Sequence, residues 1–136
     1  MGLNQVDLGS SLSNLKILSL NCLGLANKTN SIIDLILDVK ADVVLLQEVW
    51  AFNMDFFQIV GYKNIFVSAM DQNKLHLGRP HGGIAIVIKD SINFEYLTPA
   101  MKPKQVDLNI YSRVLGIELV DYKMSICNLY LPACDS

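Results

Sequence analysis

The spacing of apolar and polar positions changes along this chain, and the changes divide it into elements. After a polar leader over residues 1–14, Leu15-Lys16-Ile17-Leu18-Ser19-Leu20 reads as a short strand, and Asn21 to Asn27 (NCLGLAN) as the loop behind it. From Thr29 to Lys40 the apolar residues Ile32, Ile33, Ile36 and Val39, joined by Leu35, recur at helical spacing. Thr29, Asn30 and Ser31 offer side chains suited to a helix start. Ala41-Asp42 then turns the chain into Val43-Val44-Leu45-Leu46-Gln47, whose unbroken apolar run suits a strand covered on both faces. Strand, helix, strand is a parallel unit with a right-handed crossover, so both strands bring their carboxyl ends to one edge.

Residues 52–60 (FNMDFFQIV) are expected as a second short helix, broken at Gly61 and followed by a strand in YKNIFVSAM. Residues 71–83 (DQNKLHLGRPHGG) form a polar loop with Gly and Pro punctuation. Ile84 to Ile88, Phe94 to Leu97, Arg113 to Leu119 and Met124 to Tyr130 are β-type segments with turn-length separations, which predicts a largely antiparallel meander. A sheet this apolar needs a facing layer, and one or two helices do not cover it. A second half is therefore expected to be missing or supplied elsewhere.

Composition narrows the class. With 136 residues, 51% hydrophobic and 18% charged, the chain can bury one domain's core and lies far from disorder. Its longest apolar run, Ile84 to Ile88, is too short to span a bilayer, and the leader lacks the layout of an export signal. An intracellular protein, nuclear or cytoplasmic, without membrane contact is expected. Cys22, Cys127 and Cys134 include no C-x-x-C pair and no His at ligand spacing, so reduced thiols are expected rather than zinc or disulfides. The net charge of −2 provides no global basic field for a polyphosphate, so any nucleic-acid contact must be local or assisted by a metal ion.

The chemistry centres on the edge where the parallel strands end. Glu48 follows a core strand directly, and a carboxylate there either escapes to solvent or holds a partner. Mg²⁺ prefers such oxygen donors. Asn21, at the end of the first strand, shares that edge and can donate to a phosphate oxygen or accept from a metal-bound water; it can equally shape a turn. Tyr130 can offer a phenol to a phosphate or simply pack. Arg79, His81 and Arg113 can each meet phosphate, and Arg does so with a bidentate fork. No nucleophile elbow or P-loop is present.

LKILSLNCLGL, DVVLLQEVW, GRPHGGIAIVI, SRVLGIEL and ICNLYLP together resemble the endonuclease/exonuclease/phosphatase superfamily over residues 15–132. The nearest likeness is to the endonuclease domains of LINE-type retrotransposons. The resemblance implies a four-layer α/β sandwich, present over residues 15–136 as an amino-terminal portion. It also implies Mg²⁺- or Mn²⁺-dependent hydrolysis of phosphodiesters in nucleic acid, DNA first. Glu48 would be the metal ligand with Asn21 beside it, and Tyr130 would touch the scissile phosphate. Asn128 and Arg113 would stand on the phosphate side. The superfamily's Asp-x-Asn and Ser-Asp-His motifs do not occur in these 136 residues, and the two histidines, His76 and His81, lie in the mid-chain loop. Half an active site is implied, inactive as this chain. Two alternatives stand beside that reading: a catalytically dead remnant or binding module, and a phosphoinositide phosphatase or sphingomyelinase-like enzyme. Tyr130 argues against the second, whose usual ending is N-x-H.

Overall fold

A computed structural model describes residues 15–68, 82–97 and 114–130. Arg79, His76, His81, Arg113 and Cys134 lie outside the described residues.

The first sheet has the strand order β1-β2-β4-β3, formed by β1 (Ile17–Asn21), β2 (Val43–Gln47), β3 (Tyr62–Val67) and β4 (Ile84–Lys89). β1 and β2 are parallel, with Ile17 opposite Val43 and Asn21 opposite Gln47. β4 runs antiparallel to both β2 and β3. The second sheet is the antiparallel meander β5 (Phe94–Tyr96), β6 (Val114–Leu119) and β7 (Met124–Leu129).

Alternation along the strands builds two cores. Val44, Leu46, Ala85 and Val87 face one way and pack with Ile32 and Ile36 of α1 (Thr29–Val39). Val43, Ile84, Ile86 and Ile88 face the other way and meet Leu115, Ile117, Leu119 and Ile126 of the second sheet. Helix, sheet and sheet are thus three stacked layers among the described residues; a helix over the outer face of the second sheet is not found among them. This is the α/β architecture of packed sheets that the resemblance implies.

Four local expectations need correction. Residues 52–60 form turns instead of a helix. Asn53 Oδ1 takes the amide of Asp55 at 3.0 Å, and the Met54 carbonyl accepts from the Phe57 amide and the Gln58 side chain, so local side-chain bonds replace the helical ladder. The meander begins at β5, because β4 is buried along Ile84 to Ile88 and sits centrally in the first sheet. At α1 no side chain caps the start. A 3-10 turn over Ala26–Lys28 leads straight into the helix, and Thr29 Oγ1 donates backwards to the Leu25 and Ala26 carbonyls. Leu35 also lies off the buried face, 38% exposed.

At the amino ends of β1 and β2, beside the carboxyl end of β4, Asp42 ties the three strands together. Its carboxylate accepts from the Lys16 amide at 2.7 Å and pairs with Lys89 Nζ at 3.0 Å, while its carbonyl accepts from the Lys89 amide. That bond to Asp42 raises the Lys89 ammonium above its ordinary range. This knot closes the end of the sheet opposite the carboxyl edge.

Candidate active site

Regular alternation would send Glu48 toward the α1 side, behind Val44 and Leu46, where a carboxylate would lose its hydration. The backbone prevents this. Glu48 has φ 54°, in the left-handed region that β-strand residues avoid, and the alternation reverses there. Val49 drops into the helix-side core in its place, fully buried. The Glu48 carboxylate instead meets Asn21, whose Nδ2 donates to Oε2 at 3.0 Å. Asn21 stands on the face of β1 that carries Ile17 and Ser19, and all three are exposed. The carboxylate is therefore only partly buried, on a ledge beside the second sheet.

The strained segment is held from both sides. On one side the loop after β1 continues the parallel pairing, with the Gly24 amide on the Glu48 carbonyl and the Leu25 amide on the Val49 carbonyl, each at 3.0 Å. On the other, Gly83 accepts from the Val49 amide at 3.0 Å and Gly82 from the Trp50 amide at 2.8 Å. Trp50 is also left-handed, at φ 57°. A non-glycine residue in this region costs about 1–3 kcal/mol and persists where its surroundings over-determine it. Gly24, at φ 97°, lies under the Trp50 ring, so close that a Cβ there would sit 2.8 Å from Cε3.

Across the layers, Asn128 reaches the first sheet. It is buried, and its Nδ2 donates to the Leu46 carbonyl at 3.0 Å and the Ala85 carbonyl at 2.8 Å. Its Oδ1 accepts from Gln47 Nε2 at 2.8 Å. Gln47 Nε2 also reaches Ser19 Oγ at 3.3 Å. Asn128 thus spends its amide on protein groups. Tyr130, two residues on, packs against the core between the sheets. The carboxyl ends of β1, β2 and β7 therefore converge at one edge, with Asn21 and Glu48 in direct contact.

Two groups at this edge are not among the site residues that the sequence singles out. Lys28 Nζ donates to the Cys22 carbonyl at 2.6 Å and the Leu23 carbonyl at 3.3 Å, closing the loop behind Asn21. Gln47, read from the sequence as the last residue of a core strand, is the link between the sheets. Burial pushes the Cys22 thiol up to about 11, against the lowering effect of nearby Lys28 and with a small upward push from Glu48. Cys22 is therefore an inert core thiol.

Among the described residues no cluster of three or more His, Cys, Asp or Glu gathers around a possible cation, and no helix is long and apolar enough to cross a membrane. The donors that do meet, a carboxylate and a carboxamide, are hard oxygen ligands of the kind Mg²⁺ and Mn²⁺ take. With Oε2 accepting from Asn21, Glu48 Oε1 and Asn21 Oδ1 are the oxygens that fit such an ion.

Several solved structures share the fold. An AP endonuclease, LMAP, from Leishmania major superposes with a TM-score of 0.64 at 17% identity, over 93% of this chain and 44% of its own. An AP endonuclease from Archaeoglobus fulgidus gives 0.56 at 18%, over 88% and 42%. A 3′ phosphatase, NExo, from Neisseria, bound to product DNA hairpin, gives 0.56 at 19%, over 86% and 41%. The chain thus spans less than half the length of these structures. No curated protein matches it. The sequence profile of the Endonuclease/Exonuclease/phosphatase family matches residues 18–123, from β1 to the turn before β7, and with most of its length covered the chain belongs to that family.

Proposed function

We propose that this chain carries the Glu48 half of a Mg²⁺- or Mn²⁺-dependent phosphodiesterase site that acts on nucleic acid, DNA first. The observation that carries this reading is the Asn21–Glu48 bond at 3.0 Å on the exposed edge, with Glu48 held in a left-handed conformation that keeps it out of the core. Strain of this kind concentrates at functional sites. The DNA named with one of the similar structures supports that substrate class, and the N-x-Y-x-P ending at Asn128 and Tyr130 supports a retrotransposon-type relative.

Glu48 and Asn21 would hold the ion, which when bound polarises a phosphoryl oxygen and offsets charge on the leaving oxygen. Asn21 keeps the carboxylate oriented, and Tyr130 offers its phenol on the phosphate side. Arg113, by resemblance, adds a cation there. A general base for the attacking water contributes typically about 10²–10⁴-fold, and the motifs that supply it in the superfamily do not occur in these 136 residues. The chain alone should therefore not cleave DNA. Nicking of supercoiled plasmid by residues 1–136 with excess Mg²⁺ or Mn²⁺ should stay at background. EDTA-sensitive nicking that disappears in Glu48→Ala would show instead that this half suffices.

A further inference from the structure

We infer that Gln47 and Asn128 are positioning residues for Glu48: the amide pair that joins the second sheet to the end of β2 sets where the carboxylate stands. The inference rests on the reading of Glu48 as metal ligand and deepens it.

Asn128 is the buried polar side chain among the described residues, at 1% exposure, and it lies on the β7 face that also carries buried Ile126. An aliphatic residue would fill this space without needing partners. An amide does something an aliphatic side chain does not, because its bonds fix lateral position where apolar surfaces tolerate sliding. All of its bonds run to the carboxyl end of the first sheet. It grips Leu46, two residues before Glu48, and Ala85, two residues after Gly83, whose carbonyl holds the Val49 amide. It also holds Gln47, the residue directly before the left-handed turn. Gln47 then extends the chain of bonds to Ser19, which shares its exposed β1 face with Asn21. Both partners in the Asn21–Glu48 bond are therefore reached from one buried amide, through Ser19 on one strand and Gln47 on the other. Metal ligands held by such outer partners typically lose about 10–100-fold in metal affinity when the partner is removed.

The side-chain amide of Asn21 reports the arrangement without any metal. In ¹⁵N-labelled chain, Asn128→Leu and Gln47→Leu should each move the Asn21 Nδ2 resonances toward free-amide positions. They should also raise the Mn²⁺ concentration that broadens those resonances by at least about tenfold. Leu119→Ala, a core truncation at the far end of β6, should lower stability yet leave both readouts at wild-type values. Unchanged Asn21 resonances and Mn²⁺ midpoint in either amide variant would overturn the inference, as would an equal effect of Leu119→Ala. Gln47 is only partly buried, so Gln47→Leu decides the matter if Asn128→Leu does not fold. A wild-type chain indifferent to Mn²⁺ would defeat the metal reading, while the metal-free resonances would still judge the positioning role.

Discussion

A residue-level reversal places the candidate chemistry. One positive φ at Glu48 swaps a carboxylate out of the helix-side core and puts Val49 into it. The contact between Gly24 and Trp50 supports that turn, and Gly24→Ala should show it. The added methyl would meet the ring at 2.8 Å in a conformation that disfavours L side chains, so a loss of about 2 kcal/mol is expected in chemical denaturation. A variant as stable as wild type would mean the ring moves aside freely. Cys22 gives a second test. Its folded value of about 11 lies above the ordinary 9.0, so below pH 9 both states keep the proton and the thiol contributes no pH dependence. Between about 9 and 11 only the unfolded chain ionises, and stability should fall by roughly 2 kcal/mol over that window. Cys22→Ala should flatten this alkaline limb; an unchanged slope would assign it to other groups. Glu48 was visible in the sequence as a charge after an apolar run. The left-handed turn that aims it was not, because Glu carries no signal for positive φ.

At the scale of elements, periodicity revealed most of what matters and failed where side chains compete with the backbone. β1, α1, β2 and the strands near Tyr62, Ile84, Phe94, Val114 and Met124 were legible because their apolar spacing answers to burial. The expected helix over residues 52–60 failed because Asn53 and Gln58 offer local bonds that a pattern of apolar residues does not register. Strand partners were also hidden: nothing local tells Ile84 to Ile88 to sit between β2 and β3. The end of α1 carries a testable weakness. Lys40 adopts φ 60° and its amide bonds back to Ile36 and Leu37, a position that glycine usually fills. Lys40→Gly should therefore stabilise the chain by about 1 kcal/mol, read as a higher denaturant midpoint at constant slope. A lower midpoint would show that Lys40 contributes more through its side chain than its backbone costs.

For the whole molecule, two sheets and a helix bring segments more than a hundred residues apart to one edge, while the Asp42 knot fastens the other. The second sheet leaves the Ile17, Ser19 and Asn21 face of β1 uncovered, and that opening gives Glu48 its access to solvent. The grouping of Asn21 with Glu48 was legible from the strand, helix, strand order. The inter-sheet link through Asn128 was not, since it joins residues 81 positions apart across layers that the sequence does not align. The role proposed for Glu48, oriented by Asn21, is to bind the cation at this edge. Its most direct test is a Mg²⁺ titration of the ¹⁵N-labelled chain followed by NMR, beside Glu48→Gln confirmed as folded by circular dichroism. Saturable shifts confined to Asn21, Glu48 and their neighbours in the wild type, and absent from Glu48→Gln, are the predicted result. Equal shifts in both proteins, or shifts centred elsewhere, would contradict it.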